Sequence, residues 1–127
     1  MNKILVVDDE IDLLEEMHEA LEELGFRCVC ASSIEDAICE MGRHSDIDLI
    51  ITDLPLPGRS DFHALLRLAA GVDGSRVIPV VVSSGHIGHG DEMQLLRQGG
   101  VKFLPKPVDY EGLVGLLQGF FPGHQMT

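Results

Sequence analysis

The sequence predicts an α/β fold, a three-layer (βα)5 sandwich around a central parallel sheet of five strands. Three observations carry that expectation. Five short apolar, β-branched runs alternate with five longer segments of helical period, the pattern of strand–helix–strand units. The runs lack the polar alternation of a half-solvated strand, so they read as strands buried on both faces. The chain is 127 residues long, which suits one domain and buries roughly two thirds of its unfolded surface without disulfides or metal staples.

The predicted strands are Ile4–Val7, Arg27–Ala31, Leu49–Thr52, Val77–Ser83 and Val101–Leu104. Leu13, Leu14, Met17, Leu21 and Leu24 mark the apolar face of the first helix. Its glutamates, Glu15, Glu16, Glu19, Glu22 and Glu23, lie largely on the other face, and Gly25 closes it as a left-handed cap. Ser33 with Asp36 forms a capping box for the second helix, where Ile34, Ala37, Ile38 and Met41 repeat at helical spacing. Later helices span Asp61–Ala70, Asp91–Gln98 and Tyr110–Phe121. No linker or repeat interrupts the series, so one domain over 1–122 is expected, with a tail at 123–127.

Composition narrows the function. Nine Lys and Arg against 21 Asp and Glu leave a formal charge of −12, which argues against nucleic acid or an anionic membrane as a direct partner. The opening MNKILVVDDE is no signal peptide, and no apolar run approaches the roughly 20 residues of a membrane span. Three cysteines cannot make a complete disulfide framework. A soluble cytoplasmic domain is the expectation.

In parallel α/β sheets, ligands sit beyond the carboxyl ends of the strands. The residues there are Asp8, Asp9 and Glu10, then Asp53, Ser83–Ser84–Gly85, and Lys106. Three carboxylates in one crevice resist ionisation unless a positive charge compensates them. Oxygen donors with no His or Cys at a neighbouring strand end favour Mg²⁺, with Mn²⁺ as an alternative. Lys106 supplies a second positive charge and Ser84 a hydroxyl. Taken alone, an Asp-Asp pair after a strand is an ordinary helix N-cap. Four strand ends converging on cation, lysine and hydroxyl instead suit phosphoryl transfer, with Asp53 as the nucleophile.

These residues resemble the receiver domains of two-component response regulators, over nearly the whole chain. The likeness rests on VVDDE near the start, Asp53 in ITDLPLPG, VVVSSGH after the fourth strand, and FLPKP after the fifth. It implies a flavodoxin-like receiver fold with strand order 2-1-3-4-5. It implies that Asp53 accepts a phosphoryl group from a histidine kinase or histidine phosphotransfer protein. Asp9 would bind Mg²⁺ directly and Asp8 through water, with Asp53 and the backbone carbonyl of Pro55 completing the shell. Lys106 would pair with Asp53 and then with the phosphoryl oxygens. Ser84 and Phe103 would form the switch, and Lys106–Pro107 the family's cis bond.

Some positions depart from the family. Asp61 stands where glycine is common, Phe103 lacks a tyrosine's hydroxyl, and Val72–Arg76 reads as a loop insertion. Pro55 and His86 would flank the path of the hydrolysing water. Pro55 cannot orient that water by a side-chain hydrogen bond, so slow autodephosphorylation is expected, faster in Pro55→Asn.

Other features point to less. Cys28 and Cys30 share a strand face and read as buried core cysteines, as does Cys39 on the second helix. His86 and His89 lie in a glycine-rich loop, poorly suited to hold a metal. The glutamates of the first helix form a solvated face, and in the resembled family that helix is where kinases dock. Gly112, Gly115 and Gly119 weaken the last helix, each interior glycine costing about 1 kcal/mol. That helix must then rely on packing, and the family's output face of fourth helix, fifth strand and fifth helix suggests a homodimer. Two rival functions rank lower. A Mg²⁺-dependent phosphatase would want an acid where Pro55 stands, and a flavodoxin-like FMN binder would meet Asp8, Asp9 and Glu10 where it needs a phosphate loop.

Overall fold

The computed structural model describes residues 2–53, 77–84 and 102–126, apart from the side chains of Ser84 and Pro105. The strands are β1 (Lys3–Val7), β2 (Arg27–Ala31), β3 (Ile47–Asp53), β4 (Val80–Ser84) and β5 (Lys102–Pro105). The helices are α1 (Ile11–Glu23), α2 (Ile34–Arg43) and, last in the chain, α3 (Tyr110–Phe120). The strands form one parallel sheet in the order β2-β1-β3-β4-β5. The expected helices at 61–70 and 91–98, the insertion at 72–76, and Pro55, Asp61, Gly85, His86 and His89 lie outside the described residues.

Alternation along the strands splits the core between the two sheet faces. Leu5, Val7, Ile47, Ile50, Val80 and Val82 pack with Ala37 and Met41 of α2 on one face. Ile4, Val6, Leu49, Ile51, Val81 and Leu104 pack on the other with Leu14 and Leu21 of α1 and Leu113 and Leu117 of α3. Asp53 has the parity of Leu49 and Ile51, so β3 delivers its carboxylate at the α1/α3 side. Register between β1 and β3 slips at Lys3/Ile4, where the Lys3 amide donates to the Asp48 carboxylate.

Local signals act as the sequence predicts at several ends. Gly25 takes φ of 90° after α1, the left-handed region that glycine enters at least cost. Ser33 accepts from the Asp36 amide at 3.1 Å. The box does not close reciprocally, because the Asp36 carboxylate instead accepts from the Ser32 hydroxyl at 3.1 Å. Asp109 caps α3 by accepting from the Gly112 amide at 2.6 Å. A Cβ at Gly112 would come within 2.7 Å of that Asp109 oxygen, so the cap itself calls for glycine there.

Other expectations need correction. The fourth strand begins at Val80, since Val77 is 79% exposed and the Pro79 carbonyl already accepts from the Ile50 amide. β2 is not buried on both faces. It is an edge strand covered only in part on either face, so its Cys28, Val29 and Cys30 are all half-buried. Leu13 is exposed because it falls off the stripe drawn by Leu14, Leu21 and Leu24. Cys39 lies on the outer side of α2 and is exposed, and Cys28 and Cys30 are only half-buried.

Residues after α3 turn back across the domain. The His124 ring stacks on Phe26 at 3.9 Å between centroids, and its Nε2 lies 3.0 Å from the Leu24 carbonyl oxygen. Phe121 leans on Phe26 from a second side at 5.3 Å, and Met126 packs against the same core.

Candidate functional site

Parallel strands end together at one sheet edge, and β1, β3 and β5 carry Asp8, Asp53 and Lys106 there. Asp8 and Asp53 are each 7% exposed, whereas Asp9 is exposed. One carboxylate oxygen from each of the three lies within 4.8 Å of the others. Neither aspartate of the pair caps α1. Its N-cap is Glu10, without a side-chain cap, and Asp8 Oδ1 accepts from the Glu10 amide at 2.9 Å. That leaves both Asp8 and Asp9 available to a ligand, against the simple capping alternative.

Lys106 reaches in from beyond β5. Its Nζ lies 2.5 Å from Asp53 Oδ1 and 3.7 Å from Asp8 Oδ2. Burial pushes the Asp53 carboxyl above its ordinary value. The bond and charge of Lys106 pull it back, while the charges of Asp8 and Asp9 add to the push. For Lys106, burial works downward, but the Asp53 bond and charge, with Asp8 and Glu10 behind them, hold it above its ordinary value. One ammonium therefore faces three carboxylates, and the site keeps a net negative charge.

That electrostatic deficit fits a divalent cation. The donors are all carboxylate oxygens, hard ligands of the kind Mg²⁺ prefers, with two buried and one open to solvent. The site opens on a cleft of about 570 Å³, where Asp8, Asp53 and Lys106 meet apolar walls from Met17, Tyr110 and Leu113.

The remaining sequence candidates are placed as follows. Lys106–Pro107 is cis. Phe103 is half-buried against the α2-side core. Ser84 ends β4, paired in register with Pro105. Ser83, directly opposite Asp53 in the ladder, lines the cleft, and its buried hydroxyl finds no hydrogen-bond partner among the described residues. Sequence reasoning passed over Ser83 in favour of Ser84; its register with Asp53 is the signal that could have drawn attention to it.

In a second cluster the sequence reading set metal binding by the Cys28–Cys30 pair below a core role and did not single out His18. The two sulfurs are 3.9 Å apart, and Cys30 Sγ lies 3.6 Å from His18 Nδ1. A hydrogen bond from the Cys28 thiol, aided by His18, lowers Cys30 to about 6. The same sharing, with burial, raises Cys28.

A parallel sheet of order 2-1-3-4-5 with acids and a lysine gathered at its carboxyl edge defines a class, the doubly wound α/β domains with a site beyond the strand ends. The particular family follows from comparison with known proteins. Residues 4–118 match the response regulator receiver domain, and the chain belongs to that family. It is 30% identical to the two-component response regulator PprB of Pseudomonas aeruginosa over 105 residues, 83% of this chain and 38% of that protein. It is 28% identical to protein PilH of the same organism, over 97% of this chain and all of that one. Thus the chain spans well under half of the first relative and the whole of the second. Among solved structures, a response regulator receiver domain protein from Clostridium thermocellum superposes with a TM-score of 0.82 at 27% identity. The match covers 96% of this chain and 95% of that one.

Proposed function

We propose that this domain is a signalling switch in which Asp53 accepts a phosphoryl group from a phosphohistidine on a histidine kinase or phosphotransfer protein. The observation that carries the reading is the Lys106–Asp53 pair set among Asp8 and Asp9, a nucleophilic carboxylate held between opposed charges at a cleft. An Asp53 oxygen forms the new bond to phosphorus as the histidine N–P bond breaks, and the histidine leaves with the electron pair. Lys106, already beside both Asp53 and Asp8, is positioned to follow the charge onto the phosphoryl oxygens. A Mg²⁺ ion held by Asp8, Asp9 and Asp53 would supply the positive charge that lets three carboxylates and a phosphoryl group share the site. On the family resemblance, the Pro55 carbonyl would complete that shell.

Ser84 and Phe103 are the proposed switch. Ser84 moves toward the phosphoryl group, Phe103 turns into the space it leaves, and the surface beside β5 and α3 changes. A local charge thereby biases a two-state packing. We assign the domain to the cytoplasm with its kinase, and a homodimer through the face containing β5 and α3 as its output.

The test is intact mass after incubation with a small phosphodonor and Mg²⁺, beside Asp53→Asn. One phosphoryl group is expected, absent from the variant and absent without Mg²⁺. Wild-type protein unmodified by both the small donor and a phosphorylated histidine phosphotransfer protein would remove Asp53 from its central role.

A further inference from the structure

The edge strand β2 and the first helix carry a group of side chains that phosphoryl transfer does not use. Cys28 and Cys30, two apart on β2, point to the same face, which α1 covers. His18 descends from α1 with Nδ1 toward Cys30. The three candidate donor atoms lie within 4.8 Å of one another.

We propose that His18, Cys28 and Cys30 form a binding site for a thiophilic divalent cation, Zn²⁺, separate from the carboxylate cluster. Geometry is the first argument. Around a tetrahedral zinc with Zn–S of about 2.3 Å and Zn–N of about 2.0 Å, two sulfurs lie about 3.8 Å apart and sulfur and nitrogen about 3.5 Å apart. The observed separations are 3.9 Å between the sulfurs and 3.6 Å between Cys30 Sγ and His18 Nδ1. Two of the three edges of the donor triangle thus match a tetrahedral zinc, and the third, from Cys28 Sγ to His18, lies within 4.8 Å and closes as the ion binds.

The surroundings support the same conclusion. His18 Nε2, the nitrogen left free, lies 3.8 Å from Glu22 Oε1. That carboxylate stands beyond hydrogen-bond distance on the Nε2 side of the ring and leaves Nδ1 as the nitrogen facing Cys30. Glu15 and Glu19 border the groove onto which His18 and Cys30 open, giving an acidic approach for a cation. Half-burial leaves the fourth position accessible to water or to a carboxylate. Two thiolates and an imidazole select a soft or borderline ion over Mg²⁺, so the two sites divide hard from soft cations.

A disulfide is the competing use of the pair. Residues two apart on a strand have Cα atoms about 6.6 Å apart, at the upper end of what a disulfide spans. The strand would have to deform to close the bond, whereas a metal bridges the sulfurs where they stand.

The experiment uses the full chain carrying Cys39→Ser, reduced, with excess Mg²⁺ occupying the carboxylate cluster. Titration with Co²⁺ should saturate at one equivalent, with sulfur-to-cobalt charge-transfer absorption and the intense visible bands of tetrahedral cobalt. Zn²⁺ should bleach both. Cys28→Ser and Cys30→Ser should each weaken binding and cut the charge-transfer band by about half, and the double variant should abolish it. His18→Gln should weaken cobalt binding by at least tenfold, and by more than Glu22→Gln does. In the wild-type chain, Zn²⁺ should protect Cys28 and Cys30, but not Cys39, from alkylation, a reading that needs no variant to fold. No charge-transfer band, a band undiminished in both serine variants, or unprotected thiols would overturn the proposal. So would an oxidised chain lighter by two hydrogens as its resting form.

Discussion

Replacing Lys106 by methionine isolates the electrostatics of the site. Methionine keeps much of the side chain's length and apolar stem while removing its charge. At an effective dielectric of about 20, the Lys106–Asp53 contact at 2.5 Å corresponds to about 7 kcal/mol of attraction and the Asp8 contact at 3.7 Å to about 4 kcal/mol. Those are upper figures, because Lys106 is 24% exposed and its own desolvation is recovered in the variant. A second ceiling comes from protonation. Asp53 can escape the uncompensated charge by taking up a proton, which from an ordinary value of 3.8 costs about 4 kcal/mol at pH 7. In the wild type Asp53 is already raised, so the ceiling is lower still. The expected loss at pH 7 without divalent cation is about 2–3 kcal/mol.

The sign of its pH dependence follows. A carboxyl raised in the folded state contributes stability that is complete below its unfolded value and lost as pH rises through the folded one. Removing Lys106 raises Asp53 further, so the variant should lose stability between pH 4 and pH 7 more steeply than the wild type. Urea denaturation with an unchanged m value is the assay. The gap at pH 7 should shrink to under about 1 kcal/mol near pH 5, and Mg²⁺ should narrow it at pH 7. A gap of the same size at pH 5 and pH 7, or none at pH 7, would refute the account of the site as a charge deficit.

Other variants test the packing around it. Gly115→Ala and Gly119→Ala, whose added Cβ atoms meet nothing within 4 Å, should each stabilise the monomer by about 0.5–1 kcal/mol in urea melts. If they also abolish a dimer seen by light scattering, the glycine stripe is the interface proposed for α3. Gly25→Ala should destabilise by more than about 1 kcal/mol, because φ of 90° strains an L-residue and the new Cβ meets His124 at 3.3 Å. Leu117→Ala, at a fully buried position, should cost about 2–5 kcal/mol by the same assay. His124→Ala should cost about 1 kcal/mol through the lost stack on Phe26, and a C-terminal truncation after Gly123, which also removes Met126 from the core, should cost more.

Much of this protein is legible in its residue order. The β-branched runs around Val6, Ile50 and Val81 announce central strands because each is flanked by polar helix or loop residues and is itself apolar on both faces. Asp8, Asp9, Asp53 and Lys106 are legible as a site because every parallel strand ends at the same edge, so residues at strand ends are neighbours whatever lies between. Local caps at Gly25 and Ser33 depend on three or four consecutive residues and stand where the sequence places them, and the Asp109 cap, not singled out in the sequence, is of the same local kind.

What the chain order could not show depends on which element covers which face. Cys28 and Cys30 look like core because they are small and lie on a strand, but β2 is at the sheet edge and its cover is partial. His18 reads as one more polar residue of α1 until the helix crosses above that strand. Val77 belongs by composition to the fourth strand, yet the register with β3 begins only at Val80, opposite Ile50. His124, expected in a tail, stacks on a phenylalanine nearly a hundred residues earlier. Periodicity and capping are set by neighbours along the chain and can be read from it. The His18–Cys28–Cys30 cluster and the Phe26–His124 stack arise from the packing of distant segments, where shape and burial decide the outcome, and only the folded structure reveals them.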